Sequence, residues 1–295
     1  MRPLRFLITG QKGQVVTALA ERAPEGVEVL TLGRPKLDLA DPASIRAAFD
    51  GETADVVVNA AAYTAVDKAE EDEALAMRVN GAGAGLVAGE ARRLGAPVIQ
   101  LSTDYVFDGA LDRPYREEDA TAPLGAYGRS KLAGEEAVAA ANPRHVILRT
   151  AWVYSPFGTN FVKTMLRLGE TRDEMRVVAD QRGCPTSALD IADAIFAVGL
   201  RLLNAPGPED YGVFHLTGAG EATWAEFAEA IFSDAQSLGR KPVKVTPITT
   251  DDYPTPARRP ASSRLDGARL ERIFGIRPPQ WRASLKPVVA RLMGV

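Results

Sequence analysis

A tyrosine and a lysine, Tyr127 and Lys131, are separated by one helical turn in the sequence. On a helix this spacing places both side chains on the same face. The ordinary pKa of a phenol is about 10, and a neighbouring ammonium lowers it by stabilising the phenolate. Such a pair can pass a proton to a carbonyl oxygen while the carbonyl carbon is reduced.

A third hydroxyl lies in the segment Leu101–Tyr105, which ends a run of apolar residues. Functional groups of parallel α/β sheets gather beyond the carboxyl ends of the strands. Thr103 can therefore offer its hydroxyl to the same carbonyl oxygen. We predict that Thr103, Tyr127 and Lys131 form a catalytic group.

The segment Gly10–Gly13 follows the first strand-like run and opens the first helix-like stretch. Glycine lets the backbone turn tightly and approach a pyrophosphate at the helix N-terminus. An ordinary strand-to-helix turn is the competing interpretation, and Val16 replaces the third glycine of the usual dinucleotide motif, which puts the loop geometry in doubt. The residues predicted to contact a dinucleotide here are Gly10, Gln11, Lys12, Gly13, Gln14 and Val15.

The second strand-like run ends at Gly33 and Arg34 without an acidic residue. An acid at this place often binds the adenosine ribose, whereas an arginine suits a ribose 2′-phosphate. We predict NADPH as the cofactor, with NADH as the alternative, and Arg34 as the residue that distinguishes them. An exposed loop arginine is the competing interpretation. Asp38 and Leu39 are predicted to flank the adenine.

Strand-like and helix-like segments alternate through the first half of the chain. The strand candidates are Arg5–Thr9, Val27–Leu32, Asp55–Ala60, Pro97–Ser102 and His145–Arg149. The helix candidates are Gly13–Arg22, Pro42–Phe49, Glu71–Leu94 and Tyr127–Asn142. Several strand candidates contain Val, Ile and Leu with little polar alternation, as strands buried on both faces do. The pattern predicts an α/β fold with a doubly wound parallel sheet of Rossmann type.

The second half is less regular and contains many Pro and Gly residues. Its helix candidates are Phe161–Leu168, Ser187–Leu203 and Thr223–Leu238, and its strand candidate is Val213–Leu216. We predict a dinucleotide-binding domain at residues 1–150 and a smaller α/β lobe, mainly for substrate, at 151–295. Residues of about 187–216 are predicted to return to the first sheet.

Composition excludes several classes of protein. The 295 residues contain 35 Lys and Arg against 38 Asp and Glu, a net charge of −3, which argues against a nucleic-acid partner. No apolar run of about 18 residues suggests a membrane span. The single cysteine, Cys184, cannot form an internal disulfide and fits a reducing cytoplasm. Two histidines and one cysteine leave little material for a metal cluster.

Several segments resemble motifs of the extended short-chain dehydrogenase/reductases. These segments are Gly10–Gly13, Asn59–Thr64, Ser102–Gly109, Tyr127–Lys131 and Arg149–Tyr154. Asp180–Thr186 and Arg259–Asp266 resemble later motifs of one subgroup, the reductases that act on dTDP-4-dehydrorhamnose. The resemblance covers nearly the whole chain. It implies NAD(P)H-dependent reduction of the C-4 ketone of dTDP-4-dehydro-L-rhamnose to dTDP-L-rhamnose, for cell-surface polysaccharide synthesis.

The resemblance also implies a role for each matching residue. Tyr127 would be the acid, Lys131 would bind the nicotinamide ribose and tune Tyr127, and Thr103 would stabilise the oxyanion. The residues expected to line the cofactor are Asn59, Ala60, Ala61, Ala62, Tyr63, Asn80 and Ser102. The residues expected to contact the dTDP-sugar are Asp104, Tyr105, Trp152, Arg258 and Arg259. A core position for Trp152 and a solvated basic turn for the arginines are the competing interpretations.

Three further expectations follow from the same resemblance. Relatives that dehydrate nucleotide sugars carry a glutamate where Tyr105 stands, so simple reduction is favoured over dehydration. Another nucleotide-sugar reductase or epimerase, or a non-catalytic subunit like the β subunit of methionine adenosyltransferase, is the alternative. Some relatives dimerise through carboxylate-bound Mg²⁺. Asp190 and Asp193 lie in a suitable region, but Val16 and Thr17 offer no acid, so we predict no metal and leave a homodimer open.

Overall fold

The computed structural model describes residues 2–204 and 206–295. The strands are β1 (Leu4–Thr9), β2 (Val27–Leu32), β3 (Val56–Asn59), β4 (Val98–Thr103), β5 (His145–Thr150), β6 (Val153–Tyr154), β7 (Glu174–Val178), β8 (Arg182–Gly183), β9 (Thr186–Ser187), β10 (Gly212–His215), β11 (Ala222–Thr223), β12 (Lys244–Ile248) and β13 (Ser262–Ser263). The α-helices are α1 (Gln14–Glu21), α2 (Pro42–Phe49), α3 (Val66–Ala69), α4 (Glu73–Ala76), α5 (Gly83–Arg93), α6 (Ala126–Ala141), α7 (Phe161–Gly169), α8 (Ala188–Asn204), α9 (Trp224–Ser237), α10 (Ala268–Phe274) and α11 (Trp281–Met293).

Six parallel strands form the main sheet in the order β10-β5-β4-β3-β1-β2. Alternate side chains of β1 serve opposite faces, since Phe6 and Ile8 pack with α1 and α8 while Leu7 packs with α2 and α5. Helices therefore cover both faces, which confirms the predicted doubly wound fold. The strand order reverses between β1 and β3, so ligands are expected beyond the carboxyl ends of these strands.

The segment after the first lobe returns to the main sheet. Strand β10 pairs in parallel with β5, and α8 packs against the same sheet face as α1. Gly199 allows this close packing, because a Cβ there would lie 2.5 Å from the Phe6 ring. The remaining segments enclose a second core around α7, α9 and α11, with Phe227 and Trp281 fully buried. The parallel pair β7 and β12 edges this core, and the sequence pattern did not predict either strand.

The predicted helix Glu71–Leu94 is present as one helical stretch over residues 73–93, whose hydrogen-bonding pattern changes in the middle. Residues Met77–Ala82 form a π-helical segment between α4 and α5. Glycine is required at position 83, directly after this segment, because a Cβ on Gly83 would lie 2.4 Å from the Leu39 carbonyl oxygen. π-Helical segments often occur at functional sites. Among residues 2–204 and 206–295, no helix has the length and apolar character needed to cross a membrane.

Candidate active site

The loop after β1 has the backbone geometry of a phosphate cradle. Gly10 has a φ of +105°, and a Cβ there would lie 2.9 Å from Cγ2 of Val16. The buried Val16 side chain thus fills the space beside the turn, which is how the loop closes without the third glycine. Gly13 is the N-cap of α1 and offers no side-chain cap, so the first N–H groups of the helix face no capping oxygen. These residues fit an anionic dinucleotide.

The side chain of Gln14 has another use in this structure. Its Oε1 accepts hydrogen bonds from Ser155 Oγ at 2.8 Å and Asn160 Nδ2 at 3.0 Å. Gln14 therefore joins α1 to the segment that leads into the second lobe. Gln11 and Lys12 are exposed, whereas Val15 is buried in the core beneath the loop.

The end of β2 has no room for a side chain. A Cβ on Gly33 would lie 2.9 Å from Gln11 Cγ and 3.2 Å from the Gly10 carbonyl carbon. Arg34 is exposed and, among the residues that the structure describes, it forms no ion pair. Asp38 accepts a hydrogen bond from Ala40 N at 2.9 Å. The Leu39 side chain packs in the apolar core and is 6% exposed.

Asn59 is held inside the sheet. Its Oδ1 accepts from Thr9 Oγ1 at 2.5 Å, and its Nδ2 donates to Gln100 Oε1 at 2.7 Å. Thr9 Oγ1 also accepts from Ala61 N at 3.2 Å. The Asn59 side chain is 1% exposed and fully engaged, so it supports the loop after β3 and does not point to a ligand.

Asn80 fixes the other end of the same loop. Its Oδ1 accepts from Tyr63 N at 2.8 Å, and its Nδ2 donates to Tyr63 O at 3.0 Å and Ser130 Oγ at 2.9 Å. The buried amide therefore fastens residues 60–63, half-buried at Ala60, Ala61 and Ala62, to α6. The Tyr63 hydroxyl is buried without a hydrogen-bond partner among the described residues.

Helix α6 is seated directly on the turn that follows β4. A Cβ on Gly128 would lie 2.2 Å from the Tyr105 carbonyl oxygen, so only glycine allows this approach. Glu70 accepts a hydrogen bond from Ala126 N at 2.9 Å at the start of the helix. Lys131 is buried, and its Nζ donates to the Leu101 carbonyl at 2.7 Å. The structure thus brings Tyr127, Lys131 and the end of β4 together.

Burial dominates the electrostatics of the predicted catalytic group. It raises the pKa of Tyr127 above its ordinary value, Asp104 acts in the same direction, and the Thr103 hydroxyl opposes both. The expectation of a lowered Tyr127 pKa is therefore wrong, because desolvation of a phenolate outweighs nearby charge. Burial also lowers the pKa of Lys131 to about 8, against the opposing attraction of Glu135. Tyr127 is thus protonated at neutral pH, as a proton donor must be.

Thr103 and its neighbours carry polar groups into the cleft. Thr103 Oγ1 donates to Asp104 Oδ1 at 2.9 Å and accepts from Tyr105 N at 3.2 Å. Burial raises the pKa of Asp104 to about 6, while hydrogen bonds from Ser263 and Thr103 oppose the shift. The Tyr105 ring lies edge-on to Tyr127, with the ring centroids 5.5 Å apart.

Arg259 crosses from the second lobe to the first. Its Nη1 donates to Tyr105 Oη at 3.2 Å, and its Nη2 donates to Asp67 Oδ2 at 2.7 Å. Asp67 also accepts from Ala257 N at 3.1 Å. Arg258 is exposed. The two neighbouring arginines therefore differ, and only Arg259 reaches the Tyr105 side of the cleft.

Trp152 stands at a strained position with a φ of +49°. Its ring stacks on Trp224, with the centroids 3.6 Å apart and the planes within 8°. A Cβ on Gly183 would lie 2.3 Å from Trp152 Cε2. One face of the indole is covered by Trp224, so a sugar could use only the remaining surface of the ring.

Ser102 points away from the cleft into a buried ion pair that the sequence analysis did not find. Ser102 Oγ donates to Glu135 Oε1 at 2.5 Å, and Arg149 binds both oxygens of the same carboxylate. Glu135 follows Lys131 by four residues, and this continuation of the helical spacing is the signal that could have indicated it. Within the described ranges, no group of three or more His, Cys, Asp or Glu residues could hold a metal ion.

Asp190 and Asp193, the carboxylates considered for Mg²⁺, have protein partners. Asp190 accepts from Ser284 Oγ at 2.5 Å, and Asp193 pairs with Arg22 at 2.5 Å. Both carboxylates are therefore engaged within the chain.

This chain is similar to known proteins over nearly its whole length. The model of the RmlD substrate binding domain matches residues 4–293. The dTDP-4-dehydrorhamnose reductase of Sinorhizobium fredii is 52% identical over 290 residues, 98% of each chain. That of Burkholderia thailandensis is 43% identical, over 98% of this chain and 99% of the relative.

Two solved structures show the same fold at high coverage. The dTDP-4-dehydrorhamnose reductase from Clostridium acetobutylicum is 41% identical with a TM-score of 0.91, over 98% of this chain and all (100%) of that one. The Bacillus anthracis reductase, solved in complex with NADP, is 34% identical with a TM-score of 0.91, over 98% and 99%. The chain belongs to the RmlD substrate binding domain family.

Proposed function

We propose that this chain is an NADPH-dependent dTDP-4-dehydrorhamnose reductase that converts dTDP-4-dehydro-L-rhamnose to dTDP-L-rhamnose. The observation that carries the proposal is the convergence of Thr103, Tyr127 and Lys131 at the end of β4, in the sheet whose first strand leads into the Gly10 turn. High identity over nearly the full chain to reductases of this name supports the choice of substrate. Cell-surface polysaccharide synthesis is the corresponding setting.

The cofactor residues follow from the geometry of the first lobe. The N–H groups of Gly13 and α1 face the place expected for the pyrophosphate. Arg34 is free to meet a 2′-phosphate, and Gly33 offers no acid to repel it. The backbone of Ala60–Tyr63, held by Asn59 and Asn80, lines the next part of the cleft. Bound NADPH supplies the hydride that reaches C-4.

The proton comes from Tyr127. Its hydroxyl is protonated at neutral pH because burial raises its pKa, so it can donate to the C-4 oxygen as negative charge develops there. Thr103 offers a second hydroxyl to the same oxygen and is itself oriented by Asp104. Lys131 places a cation below Tyr127, where it stabilises the phenolate left after proton transfer.

The second lobe supplies side chains for the dTDP-sugar. Arg259 lies next to Tyr105 and is the arginine best placed for the diphosphate, in exchange for its present partner Asp67. The uncovered surface of Trp152 and the side chains of Asp104 and Tyr105 are proposed to contact the sugar. Arg258, which is exposed, is proposed only for an outer phosphate contact.

The test is NADPH oxidation by the purified chain with dTDP-4-dehydro-L-rhamnose, followed by the loss of nicotinamide absorbance. The expected product is dTDP-L-rhamnose, identified by nuclear magnetic resonance. Tyr127→Phe should retain NADPH binding and lose about a thousandfold in kcat. A chain that retains tightly bound NAD and interconverts sugars without net oxidation would instead be an epimerase.

Two expectations on the setting complete the proposal. We infer a cytoplasmic location from the single cysteine, Cys184, which is buried and free. Sedimentation of the purified chain, with and without Mg²⁺, would test the predicted metal independence and the open question of a homodimer. A methionine adenosyltransferase recovered in stoichiometric amount with the chain would support the alternative regulatory role.

A further inference from the structure

Directly behind the catalytic group lies a buried set of three side chains, Ser102, Glu135 and Arg149, here called the carboxylate clamp. Arg149 Nε donates to Glu135 Oε1 at 2.9 Å, and Arg149 Nη2 donates to Glu135 Oε2 at 2.6 Å. Ser102 Oγ donates a further hydrogen bond to Oε1. Glu135 and Arg149 are each 4% exposed, so this ion pair lies within the protein interior.

The residues of the clamp are close in sequence to the residues that are proposed to act on the substrate. Glu135 follows Lys131 by one helical turn on α6, and Ser102 immediately precedes Thr103 on β4. Ser102 is also aligned with Arg149 across the β4–β5 pair. Lys131 Nζ binds the Leu101 carbonyl at 2.7 Å. Two successive turns of α6 are therefore attached to successive residues of β4.

Lys131, Glu135 and Arg149 are three buried charged side chains, but only Glu135 and Arg149 form an ion pair with each other. The Glu135 carboxylate attracts two cations, Lys131 and Arg149, yet both of its oxygens bind Arg149. The guanidinium is further supported by the Phe107 ring, whose centroid lies 5.0 Å from Arg149 Cζ. Lys131 has only a backbone carbonyl as its hydrogen-bond partner among the described residues. No described residue accepts a hydrogen bond from its remaining N–H donors.

We propose that Arg149 is a positioning residue: by occupying both oxygens of Glu135, it keeps the carboxylate from binding Lys131 and leaves that ammonium to the cleft. The consequence for catalysis rests on the proposed function, in which Lys131 serves Tyr127 and the cofactor ribose. Without Arg149, the unpaired buried carboxylate would turn to the nearest cation, because a lone charge in the interior is strongly unfavourable.

Other charges around Lys131 do not replace this arrangement. Tyr127 on α6 and Tyr105 after β4 are neutral at pH 7, because burial raises the pKa of each phenol. Asp104, also after β4, is hydrogen-bonded to Thr103. The charged groups on the helices packed against α6 have partners or lie on outer surfaces; they are Asp67 (with Arg259), Lys68, Glu70 (with Ala126 N), Glu73 (with Arg129), Arg78, Glu90 (with Arg93) and Arg92.

The test compares Arg149→Met, Glu135→Gln and the double variant. The pKa of Lys131 is measured in the chain without ligands, from the pH dependence of its acylation by trace acetic anhydride, read by mass spectrometry. Arg149→Met should raise this pKa by about one unit, because Glu135 then attracts Lys131. Glu135→Gln should lower it by about one unit, because the attraction is gone. The double variant should return close to the wild-type value.

Steady-state kinetics give the second readout. Arg149→Met should lose about tenfold or more in kcat with little change in KM for the dTDP-sugar, and the double variant should recover most of that loss. A matched control is Arg291→Met, which breaks an exposed two-point ion pair with Glu21 and should change neither quantity. Thermal unfolding of every variant separates these effects from loss of folded protein.

Specific outcomes would overturn the proposal. Equal pKa values for Lys131 in all variants, or shifts of the two single variants in the same direction, would show that the clamp only stabilises the fold. If Arg149→Met does not fold, Glu135→Gln and the double variant still decide, since only Glu135→Gln should lower the Lys131 pKa. Wild-type protein without ketosugar reduction would contradict the proposed function, while the acylation result would still stand or fall by itself.

Discussion

The two sides of the cleft are built by different means. On the side of the first lobe, main-chain groups face the cleft, and buried amides such as Asn59 and Asn80 hold the loops from behind. On the side of the second lobe, long side chains such as Trp152 and Arg259 reach inwards from distant segments. Under the proposed function, the difference implies that cofactor recognition depends on backbone shape, whereas sugar recognition depends on packing between segments.

The largest effect is expected from a substitution in the main-chain loop of the first lobe. Gly10→Ala places a Cβ at a φ of +105° and 2.9 Å from Val16 Cγ2. We expect a loss of about 3 kcal/mol, roughly a hundredfold, in NADPH affinity, because strain and a displaced loop act together. Fluorescence titration with NADPH measures it. Gly89→Ala, in α5 with open space around its Cβ, is the control; equal affinities of the two variants would contradict a backbone cradle.

The second largest effect is expected at Asp104, a buried carboxyl group at the end of β4. Its pKa is raised to about 6, so the folded state binds a proton more tightly than the unfolded chain does. Stability from this group is therefore fully present below about pH 4 and is lost as pH rises through about 6. Asp104→Asn should raise the free energy of unfolding by about 2 kcal/mol at pH 7.

Chemical denaturation at several pH values checks this expectation. The gain of Asp104→Asn over wild type should shrink below about pH 5 and vanish near pH 4. A gain that is independent of pH would show that the carboxylate is not the cause.

A smaller effect is expected from the loss of a side chain that the second lobe contributes to the cleft. Arg259→Met removes the guanidinium that bridges Tyr105 and Asp67 but keeps much of its apolar length. The KM for the dTDP-sugar should rise about tenfold while NADPH affinity stays unchanged. The reason is that the Arg259 guanidinium is proposed to bind the diphosphate of the dTDP-sugar and not NADPH. Arg258→Met is the matched neighbour. Loss of affinity for both ligands would mean that the two sides are not independent.

The smallest effect is expected at Arg34, the exposed side chain on the backbone side. Arg34→Met should raise KM for NADPH about fivefold and leave KM for NADH unchanged, because only NADPH carries the 2′-phosphate. The preference is measured as the ratio of kcat/KM for the two cofactors. An unchanged ratio would place the 2′-phosphate elsewhere.

Sequence patterns predicted the sheet, its helices and the position of Tyr127 and Lys131, because these depend on local periodicity and on strand ends. They do not reveal where a side chain packs against a partner far along the chain. Leu39 sits beside a helix that begins at Gly83, and Trp152 is covered by Trp224, which local spacing does not reveal. The raised pKa of Tyr127 also depends on burial by several elements, which no short motif encodes.

The bare end of β2 has a consequence for how the protein can change over evolutionary time. Gly33 cannot gain a side chain without moving the Gly10 turn, but Arg34 is exposed and supports no packing. If Arg34 sets the cofactor preference as proposed, that preference can change through single substitutions at Arg34 that cost little stability. A change in the proposed sugar contacts would need coordinated substitutions in Trp152, Trp224 and Arg259, so the two specificities should diverge at different rates.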